Sequence, residues 1–307
     1  MEFAKYAYFE GKVVPFAEAR ISVATHGFLY GTAVFEGIRG FWDETKNDVY
    51  VFRLREHYER LAVNAHILKM SLPRPVDELV SLTIDLIRKN ELRCDLYIRP
   101  VLYKSDRRFG VTLFENQDLT VFFASMGAYL SKTEGIDLAV SSWRRIEDNA
   151  IPGRAKINGA YVNSCLAGDE ARSNGFDEAI FLNEDGHVSE APGMNLFVVR
   201  GGRLITTPGT ANVLEGITRA SLMTLAEKSL GIEVEERLID RSELYVADEV
   251  FICGTAAKLV SVRSIDRRMV ANGKTGSITA KLIERYRAVT LGELEGYRDW
   301  ITSVYSN

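Results

Sequence analysis

The sequence predicts an α+β (α/β) protein of two domains. Strand-like runs come in hairpins more often than in strict alternation with helices, which argues against a doubly wound sheet. The helical stripes are few and each follows a strand or a turn signal. A short segment, residues 126–135, separates two stretches of different pattern. The chain has 307 residues, enough for one large domain or two of ordinary size. We therefore expect a smaller N-terminal α/β domain over 1–125, a linker over 126–135 and a larger C-terminal domain over 136–307.

Hydrophobic residues make up 46% and charged residues 26%, the usage of a soluble globular protein. Lys plus Arg number 38 against 42 Asp plus Glu, a net charge of -4, and basic residues are nowhere consecutive beyond pairs, so no basic block occurs. A nucleic-acid reader needs a concentrated cationic face, so that partner is not expected. Cys94, Cys165 and Cys253 are far apart, odd in number and in no C-x-x-C pair, which argues against a disulfide framework or a structural zinc site. The start, Met1-Glu2-Phe3-Ala4-Lys5, lacks a signal-peptide pattern, and no apolar run approaches the roughly 18 residues of a membrane helix. The expectation is a cytoplasmic protein in a reducing compartment, with neither membrane nor metal.

In order along the chain, residues 6–15 alternate around Glu10-Gly11-Lys12 and read as a hairpin. Residues 48–54 form a strand that runs directly into a helix with Leu54, Tyr58, Leu61, Ala65 and Leu68 on one stripe. A second helix follows Pro75, with Val76, Leu79, Val80, Thr83, Ile84 and Ile87 inward. Strands at 96–104 and 119–125 close the first part around a polar loop containing Asp106-Arg107-Arg108-Phe109-Gly110. Beyond the linker come a strand at 138–144, a helix at 159–173 ended by Asn174-Gly175, and a strand at 179–182. A hairpin at 195–206 turns on Gly201-Gly202, a helix over 219–230 stops at Gly231, and a strand at 249–253 leads into Gly254-Thr255-Ala256-Ala257.

The commonest nucleotide, zinc-protease and hydrolase signatures (G-x-G-x-x-G, the Walker A loop, H-E-x-x-H, G-x-S-x-G) are missing from the sequence. His26, His57, His66 and His187 show no ligand spacing; His57 and His66, on a helix, are expected to face solvent or to be satisfied by one neighbour. Three places suit an anion: Gly216-Ile217-Thr218 opening a helix, Gly254-Thr255-Ala256-Ala257 after a buried strand, and Arg60 beside the core residue Leu61. By residue chemistry alone the competing reading, two capping threonines and a surface arginine, stays open. Lys156 lies among small and apolar neighbours in IPGRAKINGAY, where a desolvated amine is a usable nucleophile, although most lysines are surface lysines. Glu190 in Val188-Ser189-Glu190-Ala191-Pro192 reads equally well as an exposed strand residue.

Taken together, seven motifs in order resemble the branched-chain amino acid aminotransferases, which are fold type IV pyridoxal-phosphate enzymes. They are Tyr30-Gly31-Thr32-Ala33-Val34-Phe35-Glu36-Gly37-Ile38-Arg39, His57-Tyr58-Glu59-Arg60-Leu61, Tyr97-Ile98-Arg99-Pro100, Ala155-Lys156 with Tyr161, Ser189-Glu190 before Asn195-Leu196-Phe197, Gly216-Ile217-Thr218-Arg219 and Cys253-Gly254-Thr255-Ala256-Ala257. The resemblance runs from about Tyr8 to Ile301 and implies two domains with pyridoxal 5′-phosphate between them. It implies that Lys156 carries the cofactor and acts as base, that Glu190 pairs with the pyridine nitrogen and that Tyr161 bonds the phenolic oxygen. Arg60, the amides of Ile217 and Thr218, and Thr255 would hold the phosphate. Tyr30, Phe35, Gly37, Tyr97 and Tyr129 would line the substrate pocket. Thr255, Ala256 and Tyr97 would meet the α-carboxylate, and Arg99 the distal carboxylate of glutamate. Leu, Ile and Val would be the donors and 2-oxoglutarate the acceptor, with ping-pong kinetics.

The resemblance further implies a homodimer or higher homo-oligomer, with Val111 and Tyr30 completing a neighbour's pocket. The chain departs from many relatives at Asp106-Arg107-Arg108-Phe109-Gly110, where a Gly-rich turn is common. That loop keeps a D-amino acid or (R)-amine transaminase as the alternative; an aminodeoxychorismate lyase is a more distant one.

Overall fold

The computed structural model describes residues 2–127 and 135–306. Glu10 and Gly11 both take positive φ (46° and 83°), the geometry of a two-residue hairpin turn, and close β1 (Tyr6–Phe9) onto β2 (Lys12–Pro15). After the short α1 (His26–Tyr30) come β3 (Ala33–Phe35), β4 (Ile38–Asp43) and β5 (Asp48–Phe52). The fully buried β5 steps directly into α2 (Leu54–Ile67), and α3 (Val76–Lys89) follows Pro75, which stands at its N-cap. The long strands β6 (Leu96–Lys104) and β7 (Gln117–Ser125) then pair along their whole length.

The expected stripe of α2 is buried at Leu54, Tyr58, Leu61 and Ala65, while Leu68 falls at the cap and is partly exposed. On α3 the buried residues are Leu79, Thr83, Leu86 and Ile87; Val76, Val80 and Ile84 are only partly buried. The two helices meet through a buried hydrogen bond between the Tyr58 and Thr83 hydroxyls (2.7 Å). A last strand of the chain, 301–303, adds antiparallel to β5, so the sheet runs 301–303, β5, β4, β6, β7, β1, β2, with β3 also on β6.

The second sheet is built from β8 (Ile136–Arg144), β9 (Glu178–Leu182), β10 (Asn195–Arg200), β11 (Arg203–Thr206), β12 (Val234–Glu236), β13 (Glu249–Gly254), β14 (Lys258–Ile265) and β15 (Arg268–Met269). Its order is β12, β11, β10, β13, β14, β8, β9, with β15 on β14. The pairs β11–β12, β14–β8 and β8–β9 are parallel and the others antiparallel, so the sheet is mixed and not doubly wound. Its helices are α4 (Tyr161–Ser173), α5 (Ile217–Leu230) and α6 (Ser277–Thr290). Leu138, Ile180, Leu196, Val198 and Ile252 are fully buried in its core, and Phe197 stacks on Phe251 across β10 and β13 (4.9 Å).

The described residues divide into two units: 2–127 with 155–159 and 288–306, and 135–154 with 160–287. The sequence assigned all of 136–307 to one domain. Two excursions return to the first unit because the backbone pairs there: Ile157 bridges to Val34, and Ile301 pairs with Phe52. Of the expected linker, 128–134 lies outside the described residues.

Asp48, fully buried at the start of β5, fixes the C-terminal end. Its carboxylate accepts from the backbone N–H of Val49 (2.7 Å), Val304 (3.1 Å), Tyr305 (2.7 Å) and Ser306 (3.2 Å) and from the Ser303 hydroxyl (2.5 Å). Burial alone would raise its pKa; the hydrogen bonds from Ser303 and the backbone of 305 and 306 outweigh that and hold it below the usual value. A lowered folded pKa means that the stabilisation is present above the unfolded value and is lost as pH falls through the folded one. Asp48→Ala should therefore lower the free energy of unfolding at pH 7 by about 1–3 kcal/mol, because it leaves several buried donors unpaired. Denaturant titration at pH 7 and again near pH 3 checks this: the gap between the two proteins should narrow in acid.

Candidate active site

Lys156 belongs to a five-residue excursion that joins the edge of β3. The Phe35 N–H donates to the Lys156 carbonyl (3.1 Å) and the Gly159 N–H to the Gly31 carbonyl (3.2 Å). Gly31 has φ 68°, and a Cβ there would come within 2.7 Å of the Gly159 Cα, so only glycine allows the approach. The Lys156 ammonium lies 5.0 Å from the Phe35 ring centroid, and the Arg99 guanidinium lies 4.2 Å from the same ring. Arg99 also donates to the Tyr97 hydroxyl (3.0 Å). The Tyr97 ring occupies the volume where a side chain at position 37 would stand, 2.8 Å from its Cζ, so Gly37 makes room for it. Phe35, Gly37, Tyr97, Arg99 and Lys156, expected separately from their motifs, are thus brought together. A cation held over an aromatic face in a partly desolvated place is attracted by the ring quadrupole, which orders both groups.

Arg60 is held in a different way from either sequence reading. Its Nε and Nη2 donate to the two oxygens of Glu36 (2.8 and 2.7 Å), and His57 Nδ1 lies 2.7 Å from Glu36 Oε2. Glu36 is fully buried, and His57 is buried too, satisfied by one neighbour and away from solvent. Burial would raise the Glu36 pKa, but the Arg60 charge and the hydrogen bonds from His57 and Arg60 carry it far below the usual carboxylate value. An ionised carboxylate only accepts, so Nδ1 of His57 must carry the ring proton. Burial keeps His57 below its ordinary pKa despite that partner.

In the second unit Glu190 is 4% exposed, not the exposed strand residue that its short motif allowed. It sits in the bend between β9 and β10, where its carbonyl accepts from the Phe181 N–H (2.8 Å). Arg145 Nη2 lies 2.7 Å from its Oε1; Oε2 accepts from Asn195 Nδ2 (2.9 Å) and the Leu214 N–H (3.2 Å). Asn195 also donates to the Leu214 carbonyl (2.9 Å) and so ties Glu190 to the segment entering α5. Ile217 and Thr218, the first residues of α5, are both buried, and the N-cap Gly216 offers no side chain to their amides. Arg219 follows, donating to the Thr207 carbonyl (2.8 Å). Thr255 and Ala256 are partly buried in the turn joining β13 to β14, and Tyr161, partly buried, opens α4.

Tyr30 and Val111 are exposed on the first unit. Tyr30 is 41% and Val111 95% exposed, beside Phe109 at 82% and Phe28 at 63%. The loop is tied to α1: the His26 N–H donates to the Asp106 carbonyl (2.8 Å), His26 Nε2 to the Gly110 carbonyl (2.9 Å), and the Gly110 N–H to the Tyr30 hydroxyl (3.3 Å). Arg108 is laid over Phe114 of its own loop (3.8 Å). Tyr129 lies outside the described residues. Among the described residues no cluster of His, Cys, Asp or Glu suits a metal, and no helix is long and apolar enough to cross a membrane.

Sequence reasoning missed Glu36, His57 and Arg145 as members of these sites. The first had a readable signal: in an extended run, Glu36 must point opposite to Phe35 and Gly37. Removing one member of a buried ion pair costs about 3–5 kcal/mol, so Glu36→Gln, which keeps shape but not charge, should lower stability by a sizeable part of that. Thermal unfolding of the variant beside wild type measures it, and an unchanged melting temperature would refute the pairing.

The sequence profile of the family described as Amino-transferase class IV matches residues 33–265. The chain is 48% identical over 301 residues to the "Probable branched-chain-amino-acid aminotransferase" of Aquifex aeolicus, covering 98% of this chain and 97% of that one. A branched-chain aminotransferase of Thermoproteus uzoniensis solved with norvaline superposes with TM-score 0.94 at 41% identity, covering 98% of this chain and all of that one. The branched-chain amino acid aminotransferase of Thermobaculum terrenum, solved in its PLP form, does so with TM-score 0.94 at 39% identity, each chain covered in full. With most of its length matched by one family and relatives of this identity covered end to end, the chain belongs to the class IV aminotransferases.

Proposed function

We propose that this protein is a branched-chain amino acid aminotransferase that uses pyridoxal 5′-phosphate to move the amino group of leucine, isoleucine or valine to 2-oxoglutarate, leaving branched-chain 2-oxo acids and L-glutamate. The observation that carries the reading is the Phe35 ring with the Lys156 amine at 5.0 Å and the Arg99 guanidinium at 4.2 Å, beside Tyr97 over Gly37. It supplies an amine for proton transfer, an apolar wall for an aliphatic side chain and a cation for a second carboxylate.

The residues present suit the cofactor. Glu190 is a buried carboxylate met by the donors Arg145, Asn195 and the Leu214 amide, as suits a partner for a pyridinium nitrogen. The first turn of α5 brings the buried backbone of Ile217 and Thr218 to a helix N-terminus, the end of a helix that favours a phosphate. In this reading Ile217, Thr218, Thr255 and Arg60 bind the phosphate, Tyr161 bonds the phenolic oxygen, and Lys156 attaches the cofactor. When bound, pyridoxal phosphate supplies an electron-poor ring that makes the substrate Cα proton acidic. Lys156 Nζ would take that proton from the substrate Cα and, in the return half-reaction, give a proton back to Cα. Glu190 holds the ring nitrogen's proton in place. Tyr97 and the amides of Thr255 and Ala256 orient the α-carboxylate. Phe35, Gly37 and Tyr97 exclude water from the side chain, while Arg99 receives the distal carboxylate of glutamate or 2-oxoglutarate.

We also assign the active form to a homodimer. Support comes from the apolar tips Phe28, Tyr30, Phe109 and Val111, held together by the His26 and Gly110 hydrogen bonds, which form a patch of the kind that marks an association site. Tyr30 and Val111 would complete the pocket of the second copy. The exposed free thiol of Cys165 suits a reducing cytoplasm.

Lys156→Ala should lose transamination between leucine and 2-oxoglutarate, along with the borohydride-reducible link to the cofactor; full turnover in the variant would end the assignment. Arg99→Ala should raise the KM for 2-oxoglutarate by about 10- to 100-fold, the loss of a charge-assisted hydrogen bond, with a much smaller change for leucine. Equal losses for both would remove Arg99 from this role. For the dimer, mixing inactive Lys156→Ala subunits with Val111→Asp subunits, also inactive on this reading, should restore about a quarter of wild-type sites after random exchange of the two-fold pair. No rescue despite demonstrated exchange would rule out shared sites.

A further inference from the structure

Glu190 is met from one side by a cation whose own position is over-determined. Arg145 follows β8, and its backbone N–H donates to the Leu182 carbonyl (2.9 Å). Its Nε donates to the Asn212 carbonyl (3.0 Å), its guanidinium lies 5.6 Å from the Phe181 ring centroid, and its Nη2 lies 2.7 Å from Glu190 Oε1. Asn212 is itself fixed, in the left-handed region at φ 58°, donating to Asn183 Oδ1 (3.0 Å) and accepting from the Asp148 N–H (3.1 Å). The side chains of Arg145 and Glu190 are 10% and 6% exposed, so water screens their interaction poorly. Asn195 and the Leu214 amide, which also donate to the carboxylate, are neutral. Cys253 on β13 feels both Glu190 and Arg219, but burial keeps its thiol protonated. Arg145 thus brings a fixed formal positive charge into direct contact with Glu190.

A carboxylate paired with a pyridine nitrogen shares one proton with it, on nitrogen as an ion pair or on oxygen as a neutral pair. In a low-dielectric surrounding the neutral pair is favoured unless another charge intervenes. A fixed cation against the carboxylate stabilises the ionised oxygen and so keeps the proton on nitrogen. We infer that Arg145 is a positioning residue for the reaction: by holding Glu190 as a carboxylate it keeps the cofactor's ring nitrogen protonated, an inference that rests on the proposed function. Arg145 touches neither substrate nor cofactor in this role and acts only through Glu190.

The test loads wild type, Arg145→Met and Arg145→Lys with pyridoxal 5′-phosphate labelled with nitrogen-15 in the ring and reads the ring-nitrogen chemical shift, with cofactor content and melting temperature measured alongside. Wild type should show the protonated shift. Arg145→Met should hold the cofactor at one per subunit, move the shift toward unprotonated pyridine and slow deuterium exchange at the leucine Cα at least tenfold. Arg145→Lys, which restores the charge, should return most of both. Arg145→Gln, a neutral residue that retains a donor, should behave as the methionine variant and serves if methionine impairs folding. A protonated shift unchanged in both neutral variants overturns the inference and leaves the aminotransferase reading intact, as does a wild-type nitrogen that is unprotonated. A wild type that takes up no pyridoxal phosphate overturns the reading and the inference with it. A merely structural role for Arg145 would change the melting temperature without moving the shift.

Discussion

The hydrogen bonds that fasten residues 155–159 to β3 are the constraint on which the arrangement of the first unit depends. The bond from Phe35 to Lys156 and the bridge from Val34 to Ile157 fix the lysine's backbone against the strand whose side chains face its amine. A lysine on a free loop would carry its long stem through many rotamers, at a cost of up to about 2 kcal/mol in lost freedom when ordered. Here the backbone is already ordered by the sheet, and Phe35 is both the hydrogen-bond donor and the ring beneath the amine. Gly31 makes this geometry available, since its backbone meets Gly159 at a separation that any side chain would forbid.

Two buried carboxylates, Glu36 and Glu190, are handled by different means. Glu36 meets Arg60 and His57, three residues apart and therefore on one face of α2, so a single helical turn satisfies both oxygens. Glu190 gathers its donors from Arg145, Asn195 and Leu214, three separate places in the chain. Burying an ion pair gains little stability over packing apolar groups there, so neither arrangement is explained by stability alone. In the proposed function, the Glu190 set suits a partner for a cationic ring nitrogen. The Glu36 set orders Arg60, because a guanidinium gripped through Nε and Nη2 has one orientation.

Periodicity and turn chemistry make the long elements legible in the amino-acid sequence. The Gly201-Gly202 hairpin, the step from β5 into α2 and the αL glycine ending α5 stand where those signals put them. What stays hidden is pairing between distant segments. The three residues of β3, the five of 155–159 and the strand 301–303 are too short to show a period, and the partners of the last two lie more than a hundred residues away. The same limit applies to charges. Arg60 reads as an anion site or as a surface charge, and a carboxylate 24 residues earlier becomes its partner only because the two stand on facing elements. Lys156 illustrates the complementary case: no single residue pattern separates it from an ordinary lysine, and its proposed role rests on the ordered set of seven motifs.

The two sides of the extended run from β3 into β4 explain why these demands coexist in so short a sequence. The register that pairs Phe35 with Val101 continues to Ile38 with Ile98, so Phe35, Gly37 and Arg39 share a face with Tyr97 and Arg99. Glu36 and Ile38 share the opposite face, toward α2. Successive residues therefore serve the amine, the Arg60 anchor and the Tyr97 ring in turn, without any being displaced by its neighbour. A slip of one residue would exchange every one of these roles, setting a charge under the lysine and a phenyl ring against His57 and Arg60. The pairing of β3 and β4 with the long strand β6, itself matched to β7 over nine residues, is what prevents that slip. Side-chain chemistry at the lysine thus depends on a register set by backbone hydrogen bonds two strands away.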